Sequence, residues 1–255
     1  MKSIFVSDSH IGSEFSSYEE LCAFLEDIEC DKLFLIGDIF DLWVHKFSYI
    51  RNHYKRFFSI LRELYFKGIE IHFINGNHDD NCEVNLYFKN FNPKSETVLE
   101  LEGNYFKIIH GHQFDYLIKN VGWVTRFLYW LQNLFAWIVG MKAYKWFGMT
   151  FSKVVNKNTY LLDVVHEAVK KEYEESFDGV IFAHSHIPEF KIIEDNSVDK
   201  FYFVNTGDWV GSNTYIEYED GNFSLIDYTK TDDTTFHYTK ECLNLRVENE
   251  AKQDN

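Results

Sequence analysis

Short, nearly continuous apolar runs alternate with stretches of helical spacing along the first half of the chain. Residues 2 to 7 form the first apolar run and predict a strand, and Asp8-Ser9-His10 follows it directly. Leu21, Leu25 and Ile28 recur at helical intervals and predict a helix over 17–28. A second run at 33–36 ends at Gly37-Asp38. The spacing of Tyr54, Phe58, Leu61 and Tyr65 predicts one long helix over 47–67. A third run at 69–74 ends at Asn75-Gly76-Asn77-His78-Asp79, and strands are expected near 97–102 and 105–109, the latter ending at His110-Gly111-His112. The pattern changes over 117–175, which reads as helical in at least two pieces broken near Gly140 and Gly148. Strand patterning returns at 180–182, ending at Ala183-His184-Ser185-His186, and continues near 190–194, 201–205, 214–218 and 222–228.

Strands alternate with helices early and dominate late, which predicts two sheets packed face to face with helices outside. The organisation expected is a core of residues 1–116 and 176–242, an inserted helical cap at 117–175 and a loose polar tail at 243–255. A chain of 255 residues with 45% hydrophobic and 25% charged positions suits one domain with an insertion and excludes wholesale disorder.

Charge sharpens this picture. Forty acidic against 25 basic residues give a net charge of -15, which argues against a nucleic-acid partner. The distribution is uneven, because residues 116–162 contain no Asp or Glu but carry Lys119, Arg126, Lys142, Lys145, Lys153 and Lys157. A basic block in an acidic chain points to a local anionic partner. In the same block Trp123, Phe127, Trp130, Leu134, Trp137 and Met141 recur at spacings of three and four, forming one helix face. Apolar area beside basic charge suits an anionic lipid or an anionic membrane surface, unless the stripe is ordinary cap core. The uncharged stretch from Phe127 to Met141 is too short for a membrane span. Four cysteines without a CxxC pair fit a reducing compartment, and the first apolar run is too short for a signal peptide, so a cytoplasmic protein is expected.

The chemistry gathers at the strand ends: Asp8 with His10, Asp38 with Asp41, Asn77 with His78, then His110, then His184 with His186. In open α/β sheets, ligand sites lie beyond the carboxyl ends of strands. Carboxylate, imidazole and amide oxygen are donors for Mn, Fe or Zn. So many donors exceed the needs of one ion and suit two ions sharing a carboxylate, the arrangement used in phosphoryl chemistry. Each position alone has a plain reading as a turn aspartate or a surface histidine; their joint occurrence at successive strand ends does not.

Asp8-x-His10, Gly37-Asp38, Gly76-Asn77-His78-Asp79, His110 and His184-x-His186 together resemble the calcineurin-like metallophosphoesterases. That resemblance implies a four-layer α/β/β/α metallophosphoesterase sandwich. It also implies two divalent ions, Mn2+ first, with Fe or Zn as alternatives. One ion would be held by Asp8, His10, Asp38 and His186, and the other by Asp38, Asn77, His110 and His184, with Asp38 shared. His78 would face the substrate and Asp41 would orient it. His112 competes with His110 for one role, and the family motif favours His110.

Gly37-Asp38-Ile39-Phe40-Asp41-Leu42-Trp43, His110-Gly111-His112-Gln113-Phe114-Asp115 and Ser152-x3-Asn156 further resemble the UDP-2,3-diacylglucosamine diphosphatases. That likeness implies cleavage of a pyrophosphate in a UDP-linked lipid, releasing UMP and an acylated sugar 1-phosphate. It implies Asn77, His78, Asp115, Ser152, Asn156 and His184 as substrate contacts, and peripheral contact with the inner membrane surface through 117–150. These diphosphatases often carry Gly-Asn-Arg where this chain has Gly76-Asn77-His78, and some carry Glu in place of Asp41. Both changes move toward the general phosphatase pattern. A phosphomonoesterase or phosphodiesterase acting on another phospholipid or a small soluble ester is therefore the alternative reading. A nuclease or a metal-free binding module fits less well.

Overall fold

In the computed structural model, residues 1–80, 93–115, 159–195, 198–230 and 236–244 are described, with positions 127, 130, 131, 134, 135 and 138–140. The strands explain the architecture through their period of two. In β1 (Lys2–Val6), Ile4 and Val6 point to one apolar cluster and Phe5 to another. In β2 (Lys32–Ile36), Leu33 and Leu35 join the first cluster, Phe34 and Ile36 the second. A strand that is apolar on both faces must be covered on both faces, which is why these segments read as continuous apolar runs.

The first sheet has six strands in the order β11-β10-β9-β1-β2-β3, where β3 is Glu70–Ile74, β9 Thr214–Glu219, β10 Asn222–Lys230 and β11 Phe236–Asn244. The central trio β1, β2 and β3 is parallel, and β9 joins β1 antiparallel. The second sheet has five strands in the order β4-β5-β6-β8-β7, namely Glu96–Leu101, Asn104–Ile109, Gly179–Phe182, Val198–Asn205 and Glu189–Asp195. Between the sheets, Phe5, Phe34, Ile36 and Ile74 meet Phe106, Ile108, Ile181 and Val204.

Helices form the outer layers. Helix α1 (Tyr18–Asp27) and α3 (Lys55–Phe66) bury Leu21, Leu25, Phe57, Ile60, Leu61 and Leu64 on the first sheet. Helix α4 (Thr159–Tyr173) packs on the second through Val169, against Val180, Phe182 and Phe203. The α/β/β/α sandwich expected from sequence is the observed fold.

Two elements differ from expectation. The long helix over 47–67 is two helices, α2 (Phe47–His53) and α3, because Tyr54 leaves helical geometry at φ -111° and ψ 44°. Its ring packs edge-on against Tyr18, and the Tyr18 hydroxyl accepts the Phe57 amide that opens α3. Strand β11 is an addition: it pairs along the whole of β10 and extends ordered structure to Asn244, past the expected start of the tail. Among the described residues no helix is long and apolar enough to cross a membrane.

Candidate metal centre

The parallel trio delivers the first ligands together because its strands end in register. Beyond β1 and β2 the backbones stay tied: the Asp8 amide donates to the Gly37 carbonyl, that of His10 to Asp38, and that of Ile11 to Ile39. Asp8, His10, Asp38, His184 and His186 all have φ between 44° and 67°, in the left-handed region. Non-glycine residues rarely adopt it, and each instance costs on the order of 1–3 kcal/mol. Five such residues at one site mark a backbone bent to aim side chains rather than to minimise local energy.

Asp38 is central. Its Oδ1 accepts the His78 amide at 2.7 Å. Its Oδ2 lies 3.3 Å from His110 Nε2 and 3.9 Å from His10 Nε2. Asp8 has a similar division of labour: Oδ2 accepts the His184 amide at 3.1 Å, while Oδ1 lies 3.4 Å from His186 Nε2 and 3.9 Å from His10 Nε2. These two carboxylates anchor two donor triads, Asp8-His10-His186 and Asp38-His110-His184, each with its ligand atoms close enough for one ion; a third such group, His10-Asp41-His78, shares His10 with the first. Metal bonds of about 2.0–2.2 Å set neighbouring donor atoms of one ion roughly 3–3.5 Å apart, so the spacing suits metal ions.

A stricter test is what the buried donors do without a metal. Asp8 Oδ1, His10 Nε2, Asn77 Oδ1 and His110 Nε2 are all buried and have no hydrogen-bond partner. Unpaired buried polar atoms are strongly disfavoured. Four of them converging from three strand ends fit divalent cations well.

In His110, His184 and His186 the second ring nitrogen is engaged. His110 Nδ1 donates to the Ile36 carbonyl at 3.0 Å. His184 Nε2 meets Asp115 Oδ2 at 3.1 Å, and His186 Nδ1 meets Asp208 Oδ2 at 3.1 Å. Asp115, expected at the substrate, thus lies against a histidine of the cluster. His112 has its ring 5.5 Å from that of His110 and belongs to neither triad.

His78 is fixed on several sides. Its Nδ1 lies 3.1 Å from Oδ1 of the fully buried Asp41. Trp43 stacks on its ring at 3.7 Å and donates its indole N–H to the Asn77 carbonyl. His10 packs edge-on at 4.5 Å. Asp79, quoted in the motif without a role, is a scaffold residue missed by sequence reasoning. Its Oδ1 accepts the Gly76 and Asp38 amides, and its Oδ2 those of Ile39 and Phe40. It locks the β2 and β3 loops together. Its place directly after His78 was the available signal. Ser152 and Asn156 lie outside the described residues.

The electrostatics follow from burial among opposite charges. Burial opposes a charged His110, but Asp38 and Asp8 outweigh it and hold the ring up at about 10. Burial likewise opposes charge on His186, yet Asp8 and Asp208 push it up to about 9. For His10, burial prevails, with His78 adding to it, and brings it down to about 4. Asp38 stays well below the carboxylate range, because His110 and His78 overcome its burial. Asp79 rises to about 7 through burial and the Asp38 charge.

The sequence pattern of the calcineurin-like phosphoesterases matches residues 1–188, which contain both triads. The chain belongs to that family. Among curated relatives, the UDP-2,3-diacylglucosamine hydrolase of Porphyromonas gingivalis is 30% identical over 127 residues, covering 44% of this chain and 46% of that protein. The hydrolase of the same name from Photorhabdus laumondii is 28% identical over 208 residues, 74% of this chain and 83% of that one. Among solved structures, the E. coli phosphoesterase Yfce aligns over 96% of this chain and 100% of its own, at 16% identity and a TM-score of 0.49. The calcineurin-like phosphoesterase expected from the strand-end motifs is thus the family found, and its members are metal-dependent hydrolases.

Proposed function

We propose that this calcineurin-like phosphoesterase hydrolyses the pyrophosphate bond of UDP-2,3-diacylglucosamine or a closely related UDP-sugar lipid, releasing UMP and an acylated sugar 1-phosphate. The observation that carries the dimetal chemistry is the position of Asp38 Oδ2, between His10 and His110. The lipid-linked substrate is supported by the names of the relatives and by an exposed apolar helix face in the insertion.

In this reading Asp8, His10 and His186 hold one ion, Asn77, His110 and His184 the other, and Asp38 is shared. The ions, Mn2+ being the first to test, supply Lewis acidity toward a water nucleophile and toward the phosphoryl oxygens. Asn77 and His184 also border the phosphate. With Nδ1 engaged by Asp41, His78 presents Nε2 to the phosphoryl group and moves a proton there to the leaving oxygen. Trp43 keeps the ring from turning. Ser152, Asn156 and Asp115 are proposed on the sugar-phosphate side.

The Asp41–His78 pair favours one competing reading, a phosphoesterase for small soluble esters. The test is UMP release from UDP-2,3-diacylglucosamine in detergent micelles with Mn2+, beside a generic soluble phosphodiester. Fast UMP release with weak activity on the soluble ester supports the proposal. A working soluble-ester reaction without UMP release overturns the substrate and leaves the family chemistry standing.

A further inference from the structure

The family match ends at residue 188, yet the loop after β8 reaches back into the metal centre. Three contacts bring it there. The Trp209 amide donates to the Asp8 carbonyl at 3.2 Å. Ser7 bonds through its hydroxyl to Thr206 and to the Gly207 carbonyl. The Asp208 carboxylate, only 6% exposed, meets His186 Nδ1 at 3.1 Å.

Asp208 is itself held in place. Its Oδ1 accepts the backbone amides of Val210, Gly211 and Ser212 at 3.0, 2.7 and 2.9 Å, and the Ser212 hydroxyl at 3.3 Å. One carboxylate oxygen therefore ties the loop, and the other is aimed at His186. A carboxylate oxygen only accepts, so it requires the proton of the neutral imidazole to sit on Nδ1. Nε2 is then bare, and Nε2 is the atom 3.4 Å from Asp8 Oδ1.

We propose that Asp208 is a positioning residue of the metal centre: by accepting the Nδ1 proton of His186 it fixes the ring's tautomer and orientation, making the 206–214 loop a working part of the Asp8-His10-His186 site. This rests on the dimetal reading. Carboxylate partners of this kind typically contribute 10–100-fold to metal affinity.

Asp208→Asn separates the two jobs of the residue. Its amide oxygen can keep the three backbone N–H bonds, while its NH2 group faces His186 and cannot accept the Nδ1 proton. The experiment is calorimetric titration of the metal-free protein with Mn2+ for the wild type, Asp208→Asn and His186→Ala. The expected result is a loss of about 10–100-fold at one of two sites in Asp208→Asn, with thermal unfolding near that of the metal-free wild type. Wild-type affinity in Asp208→Asn together with a weakened site in His186→Ala overturns the role of Asp208 and leaves the dimetal reading intact. Unchanged binding in His186→Ala overturns the dimetal assignment, and this proposal with it. A second measurement needs no variant: nitrogen-15 NMR of the Zn2+-loaded wild type should find the His186 proton on Nδ1. A proton on Nε2 overturns the proposal even if Asp208→Asn fails to fold.

Discussion

Asp38 and His78 sit side by side but carry different kinds of work, and substitution separates them. Asp38 Oδ2 faces both triads, so Asp38→Ala should release both ions, read as metal content after dialysis. In the proposed mechanism His78 faces the substrate, so His78→Ala should keep the metal content and slow turnover by roughly 10²–10⁴-fold. Wild-type turnover in the second variant would remove His78 from the chemistry. The histidines also set a pH dependence. In the metal-free protein the Asp-rich surroundings hold His186 up at about 9 and His110 at about 10. A metal binds only the neutral ring, so below those values each ligation displaces a proton. Apparent Mn2+ affinity should climb as pH rises from 7 toward about 9–10, with proton release measurable in weak buffer. The stability of the metal-free protein runs the other way. A histidine raised above its ordinary 6.5 contributes stability that is complete below 6.5 and is lost as pH rises through the folded value. A flat affinity profile would mean that neither ring gives up a proton.

At the scale of elements, the close approach of the β2 and β3 loops depends on Gly76. A Cβ there would overlap the carboxylate and amide of Asp38, the first held by the His78 amide and the second by the Asp79 carboxylate. Gly76→Ala should therefore displace Asp38 and lower metal content while leaving the sandwich folded by circular dichroism. Metal content equal to wild type would show that the loops have slack. The same loops explain what the sequence made legible. Ligand positions were readable because each follows an apolar run that can only be a buried strand. Asp41 was legible through the family resemblance, but two other supporting carboxylates were not, and their partners are distant in the chain: Asp79 reaches Ile39 across 40 residues and Asp208 reaches His186 across 22. A signal existed for the latter, since Gly207-Asp208 comes one residue after β8 ends, while Gly37-Asp38 directly follows β2. The break at Tyr54 was hidden because apolar spacing continues through it. Strand β11 was hidden because its Thr239-Lys240-Glu241 centre lacks the apolar pattern of the inner strands, as an edge strand can.

On the scale of the whole molecule, charge is segregated along the chain. In sequence, residues 116–162 are basic and acid-free while the rest of the chain carries the acidic excess, and within that block the described positions Phe127, Trp130, Leu131, Leu134, Phe135 and Ile138 are exposed, from 37% to 66%. Their spacing puts them on one helix face, and a contiguous exposed apolar face of this kind asks for a partner. The proposed partner is a membrane carrying anionic lipid. A net charge of -15 would repel such a surface unless the protein approaches with its basic block first, so charge orients the molecule and the stripe holds it. The expected outcome is co-sedimentation with vesicles containing phosphatidylglycerol, weakened by high salt and weaker still with neutral vesicles. Replacing Trp130 and Phe135 with Asp should reduce partitioning at least about tenfold, since each large apolar side chain is worth roughly 1.5–3 kcal/mol when fully buried. Hydrolysis of a short soluble ester, measured alongside, reports whether the metal centre is intact. Partitioning that survives the double substitution would place the membrane contact elsewhere. No vesicle binding by the wild type would leave the stripe to the acyl chains of a substrate drawn from micelles.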